Sequence, residues 1–81
     1  MIKEVHMPKL SPKSNQYFFG EWLKEPGDKV SKGDVLFEVE TDKVVSQVES
    51  QETGVLKEHQ VKSGQTVVVG DLVATIEVSE S

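Results

Sequence analysis

The amine of Lys43 is the group in this chain whose surroundings best suit chemistry. It sits in the stretch VLFEVETDKVVSQVE, residues 35–49. The left arm of that stretch alternates, with Val35, Phe37 and Val39 on one face and Leu36, Glu38 and Glu40 on the other. The right arm alternates more loosely, with Val44, Ser46 and Val48 against Val45, Gln47 and Glu49. Period-two alternation marks a half-buried strand, so the stretch reads as a β-hairpin. Thr41-Asp42-Lys43 at its tip contains no apolar residue. Hairpin tips are polar because they are wet, and that alone accounts for the tip. The sharper reading is that the hairpin holds up Lys43. An amine that another enzyme must reach belongs on a tight, stiff, exposed turn.

The other reactive residue types lack such a setting. His6 and His59 are far apart in sequence and have no companions at ligand spacing. Surface or partly buried histidines are expected, not zinc ligands or general bases. The serines occur in no nucleophile-elbow context. Glu38, Glu40 and Asp42 lie on one strand face, but carboxylates spaced along a strand do not make a calcium loop. No glycine-rich phosphate cradle is present. Hence no metal site is expected, and the domain alone is not expected to turn over a substrate.

The elements that must position Lys43 are short strands separated by turns. Residues 2–8, IKEVHMP, read as a first strand closed by Pro8, followed by the loop LSPKSNQ. Residues 17–24, YFFGEWLK, read as a second strand. There Phe19 and Trp22 are three apart, which a bulge near Gly20 reconciles. Turns at Pro26-Gly27-Asp28 and Gly33-Asp34 bracket a very short strand in KVSKGD. After the hairpin, Gln51 to Gly54 is a link; VLKEHQV, TVVVGD and LVATIEV complete the chain, with a turn at Ser63-Gly64-Gln65. No helix of useful length is indicated.

The second half repeats the first. An offset of 37 residues sets Tyr17 on Gly54 and runs on without a gap. It makes Glu21 match Glu58, Gly27 match Gly64, Val30 match Val67, Gly33 match Gly70, Asp34 match Asp71 and Glu40 match Glu77. A repeat of this length implies two similar supersecondary units. Two sheets packed face to face about an approximate two-fold would bury the inner row of each. Continued backwards, the offset sets Lys43 opposite His6 and the hairpin tip opposite the chain ends. The termini are therefore expected together, at the end remote from Lys43.

Composition narrows the partners. Eighty-one residues allow one small domain with a limited core. The net charge of −5 and the absence of arginine argue against nucleic acid or an anionic membrane as partner. There is no cysteine, and neither a membrane-length apolar run nor a signal peptide is visible. A soluble intracellular domain is the expectation.

ETDKV at 40–44 resembles the attachment sequence of lipoyl domains, found in the acyltransferase components of 2-oxo acid dehydrogenase complexes. MPKLSP at 7–12, EWLKEPGDKVSKGD at 21–34, and GVLKE with SGQTVVVGD at 54–71 resemble the same family in the same order. The resemblance runs from Ile2 to about Val78, so residues 1–78 are expected to be the domain and 79–81 the start of a linker. It implies an all-β fold: a flattened barrel or sandwich of two four-stranded antiparallel sheets with quasi-two-fold symmetry, a barrel-sandwich hybrid.

The resemblance also implies covalent carriage. Lipoic acid would be joined to Lys43 through an amide, although a recombinant chain can lack it, with Asp42 and Val44 as the flanking pair. Biotinyl domains place methionine on both sides, which makes a biotin carrier the alternative cofactor reading. An unmodified interaction module is the other alternative. The implied partners are a thiamin diphosphate-dependent decarboxylase, the acyltransferase core, dihydrolipoamide dehydrogenase and a lipoyl ligase or transferase. The domain itself would be monomeric, in a bacterial cytoplasm or a mitochondrial matrix. DKVV resembles succinyl-transferring components, whereas PGDKV and GQT resemble branched-chain ones, so the 2-oxo acid stays open. Glu38, Glu40 and Glu49 give the hairpin an acidic outer face, either solvated surface or a docking contact. The chain departs from the family at Gln16-Tyr17-Phe18, where a Glu-Gly-Thr-like turn is usual. In the family, the loop at 9–16 sits beside the lipoyl-lysine and helps set which decarboxylase is recognised. The aromatic pair is either packing or an apolar contact surface.

Overall fold

The computed structural model describes residues 1–41 and 44–78. Eight strands follow in order: β1 (Ile2–His6), β2 (Gln16–Trp22), β3 (Lys29–Val30), β4 (Val35–Glu40), β5 (Val45–Glu49), β6 (Gly54–His59), β7 (Thr66–Val68) and β8 (Leu72–Val78). They form two four-stranded antiparallel sheets, ordered β1-β8-β6-β3 and β5-β4-β2-β7. The strand ladders stay within each sheet, so the architecture is a sandwich and not a closed barrel. Among the described residues there is no helix, and so none long and apolar enough to cross a membrane.

The repeat in sequence is a repeat in register. Phe19 pairs with Val39 and Trp22 with Phe37; their mates pair likewise, Leu56 with Ile76 and His59 with Ala74. Tyr17 pairs with Val67 as Gly54 pairs with Val30. The bulge expected near Gly20 is present, as a register shift between Phe19 and Glu21. It recurs between Leu56 and Glu58, where Lys57 takes the place of glycine. The turn glycines Gly33 and Gly70, at φ 97° and 96°, hold the left-handed conformation that side chains resist.

Two expectations are corrected. Leu36, assigned to the outer face of the hairpin, is completely buried. A register shift between Val35 and Phe37 breaks the strict alternation and turns Leu36 inward. Nor does the 37-residue offset reach the first strand: β1 is the mate of β5, with Val5 standing to Ala74 as Val48 stands to Phe37. The link into β2 is longer than the link into β6, so the mate of His6 is Glu49 and the mate of Met1 is Val44. Among the described residues, Met1 and Val78 still meet, at the end opposite Thr41 and Val44. Val78 N–H donates to Met1 O at 2.8 Å, the counterpart of Thr41 N–H to Val44 O at 3.0 Å.

The core lies between the sheets. Phe19, Leu36, Phe37 and Val39 face Leu56, Val73, Ala74 and Ile76, with Met7, Val30 and Val67 closing the ends. Phe19 and Phe37 stack with centroids 5.0 Å apart, and Trp22 lies 5.1 Å from each. Full burial of one such large apolar side chain is worth about 1.5–3 kcal/mol.

Candidate functional site

The β4–β5 hairpin closes through Thr41. Its N–H donates to Val44 O at 3.0 Å, and its Oγ1 approaches the same oxygen at 3.4 Å. The strand ladder ends one pair earlier, at Glu40 and Val45. Val44 and Val45 are 60% and 57% exposed, so among the described residues no element covers this edge. Lys43, the expected attachment residue, and its neighbour Asp42 lie outside the described residues.

The hairpin end is also where the loop at 7–15 arrives. β1 ends and β8 begins beside Met7, whose N–H donates to Asp71 O at 2.8 Å. The loop then enters β2 at Gln16, which pairs with Val68. From there β8 runs back to Val78 and the chain start, at the opposite end of a molecule 40 Å long. A shallow, open groove of about 340 Å³ lies between the loop and the hairpin, lined by Ser14, Gln16, Tyr17, Phe18, Glu40, Thr41 and Thr66.

The aromatic pair at 17 and 18 divides its roles. Tyr17 is 2% exposed and belongs to the core. Phe18, on the other face of β2, is 47% exposed. Register places Phe18 beside Glu40, and Glu40 beside Val45. The outer face of the hairpin is thus a carboxylate between two apolar side chains, not a uniform acidic strip. Glu38 is partly tied, its Oε2 accepting from Gln47 Nε2 at 3.1 Å, whereas Glu40 and Glu49 are exposed. The sequence left this pair open between packing and an apolar contact surface, since the run Tyr17-Phe18-Phe19 shows no alternation; the structure divides it, and the hydrogen bonds of Tyr17 had no signal in sequence either.

The histidines are placed separately. His6 has Nδ1 2.9 Å from Gly70 O and Nε2 3.0 Å from Glu4 Oε1. Both partners are acceptors, so only the imidazolium satisfies both. The Gly70 carbonyl, then Glu4, raises its pKa above the usual 6.5. His59 is partly buried, with Nε2 2.9 Å from Lys24 O. Among the described residues, no group of three metal-ligating side chains occurs.

With the geometry in place, comparison decides the family. The sequence profile of the biotin/lipoyl family, described as "Biotin-requiring enzyme", matches residues 3–76. The chain belongs to the biotin/lipoyl attachment family. Within it, the relatives favour the lipoyl branch over the biotin one. The chain is 42% identical over 75 residues to the dihydrolipoyllysine-residue succinyltransferase component of the 2-oxoglutarate dehydrogenase complex of Bacillus subtilis, covering 93% of this chain and 18% of that protein. It is 45% identical over 73 residues to the mitochondrial acetyltransferase component of the pyruvate dehydrogenase complex of Neurospora crassa, covering 89% and 16%. This chain therefore spans less than a fifth of the length of these relatives. Its backbone resembles the solution structure of the lipoyl domain of the Azotobacter vinelandii 2-oxoglutarate dehydrogenase complex, with a TM-score of 0.75 at 28% identity. That match covers 94% of this chain and 98% of the other, so the lipoyl domain fold accounts for the whole sandwich.

Proposed function

We propose that this lipoyl domain is the carrier module of a 2-oxo acid dehydrogenase acyltransferase component, with Lys43 as the attachment residue. The observation that carries the reading is the closed hairpin. Thr41 and Val44 are locked to each other at the sandwich end remote from the termini, and the sequence between them is Asp42-Lys43. Asp42 and Val44 complete the flanking pair that a lipoyl ligase or transferase would read. The bound group supplies a dithiolane that accepts an acyl group and two electrons. The chain's own part is mechanical. A rigid β scaffold separates the Thr41–Val44 closure from Val78, and Val44 and Val45 beside that closure are exposed. Amide formation on Nζ removes one positive charge, making the domain more acidic. Tethering at the far end lets the module move between partners at an effective concentration of roughly millimolar.

The partners in this reading are a thiamin diphosphate-dependent decarboxylase, the acyltransferase core and dihydrolipoamide dehydrogenase. The domain acts as a monomeric substrate and not as a catalyst, and residues 79–81, which lie outside the described residues, begin the linker to the rest of the parent acyltransferase. Relatives in bacterial and mitochondrial complexes point to a bacterial cytoplasm or a mitochondrial matrix.

The test is mass spectrometry after incubation with a lipoyl ligase, ATP and lipoate. One lipoyl group on Lys43 is expected, and none on Lys43→Ala, whose circular dichroism should match the wild type. Biotin incorporated at Lys43 by a biotin ligase would replace this reading with the biotin-carrier one. No modification by either enzyme would leave an interaction module.

A further inference from the structure

The two-fold that relates the sheets is broken at one place, the link into β2. At the other end of the sandwich, residues 50–53 carry the chain from β5 to β6. The corresponding link from β1 to β2 occupies residues 7–15. The added residues are not needed to close the fold, since the mate does without them. They are nonetheless built firmly. Ser11 and Ser14 bridge across a turn with Pro12 at its second position. Lys9 Nζ reaches Asn15 Oδ1 at 2.6 Å on the outside.

The inner brace is Tyr17. Its phenol oxygen accepts from Leu10 N at 2.8 Å and from Ser11 N at 3.0 Å, and its hydroxyl donates to Ser14 O at 2.9 Å. One buried hydroxyl thus ties both limbs of the loop. The mate of Tyr17 is Gly54, where a Cβ would collide with the carbonyl oxygen of Glu77. A side chain is excluded at one end and recruited as a loop brace at the other. The loop so held forms one wall of the groove, through Ser14, facing Glu40 and Thr41 at the base of the hairpin.

We propose that Tyr17 is a positioning residue for partner recognition. It pre-sets the 10–14 loop beside the attachment hairpin, so that the decarboxylase meets a formed wall and does not bear the entropy of ordering it. This rests on the carrier reading above. A loop ordered before encounter costs less on binding, and its loss should weaken association without touching the chemical step. Tyr17→Phe keeps the ring in the core and removes all three hydrogen bonds. Pro12→Gly loosens the same loop without touching the core.

The experiment compares lipoylated wild type, Tyr17→Phe and Pro12→Gly as substrates for reductive acylation. The probes are purified decarboxylases for 2-oxoglutarate, pyruvate and branched 2-oxo acids, and the one fastest with the wild type is used for the comparison. Amide exchange is measured at Leu10 and Ser11. Faster exchange, unchanged lipoylation by the ligase, unchanged kcat and a KM raised about fivefold or more in both variants are expected. Faster exchange with unchanged KM overturns the proposal alone, because the loop would then be loosened without consequence. Unchanged exchange in Tyr17→Phe also overturns it, because the phenol would not be the brace. A wild type that carries lipoate yet is acylated by none of the three decarboxylases overturns the carrier reading, and the proposal with it.

Discussion

Trp22 and His59 lie face to face, with ring centroids 3.8 Å apart and planes 3° from parallel. They are mates under the internal repeat, one on each sheet. Their hydrogen bonds are mates as well: Trp22 Nε1 donates to Val61 O at 2.9 Å, and His59 Nε2 to Lys24 O at 2.9 Å. A carbonyl only accepts, so the His59 proton sits on Nε2. The stack straddles the pseudo-two-fold axis and joins the two sheets beside the Phe19–Phe37 pair.

Each ring therefore both stacks and donates. Trp22→Phe removes the donor and part of the stacked area, and His59→Ala removes both. Each is expected to lower stability by about 1–2 kcal/mol, from one buried hydrogen bond and its packing. The double variant should lose less than the sum, by about 0.5–1.5 kcal/mol, the range for an aromatic pair. Urea unfolding followed by far-ultraviolet circular dichroism checks this. Additive losses would mean the stack contributes no coupling of its own.

Leu36 shows where the sequence stops being legible. The alternation of β4 was readable, and so were the turns, the repeat and the Gly20 bulge. The bulge between Val35 and Phe37 has no glycine to announce it. It is imposed by the ladder to β5, a tertiary constraint on the phase of the strand. Gly54 is similar: its need for a bare Cα comes from Glu77, distant in sequence. The candidate site divides the same way. Lys43 as the attachment residue is a proposal read from ETDKV alone, whereas the Tyr17 brace exists only after the loop folds over it. Leu36→Ala should therefore cost about 2–5 kcal/mol, as for a core leucine, where an outward leucine would cost little. The urea midpoint separates the two.

His6 makes stability depend on pH. Its pKa is raised in the folded state by the Gly70 carbonyl and Glu4. A raised pKa means the folded state holds the proton more tightly than the unfolded one. The contribution is therefore fully present below the unfolded value of 6.5 and is lost as pH rises through the higher folded value. Wild type should thus lose stability relative to His6→Ala as pH rises over the range above 6.5. Urea midpoints of both proteins across that range, with the His6 ring titrated by NMR, give the answer. Parallel curves would show that the Gly70 and Glu4 contacts do not bias protonation.

Glu40 lies between Phe18 and Val45 on the outer face of the hairpin, next to the groove wall. In the proposed carrier role, a decarboxylase surface that accepts this face has to meet one carboxylate set among apolar side chains. If it does so with basic residues, attraction acts mainly on the encounter rate and fades with salt. The screening length is about 30 Å at 0.01 M ionic strength and about 10 Å at 0.1 M, so the effect should be large only at low salt. Glu40→Lys is expected to raise the KM for reductive acylation several-fold at low ionic strength and much less at high. Glu49→Lys, further from the groove, should do so more weakly. Phe18→Ala removes the apolar neighbour and should raise KM at both ionic strengths. A KM for Glu40→Lys that matches wild type at low salt would return the acidic face to the role of solvated surface.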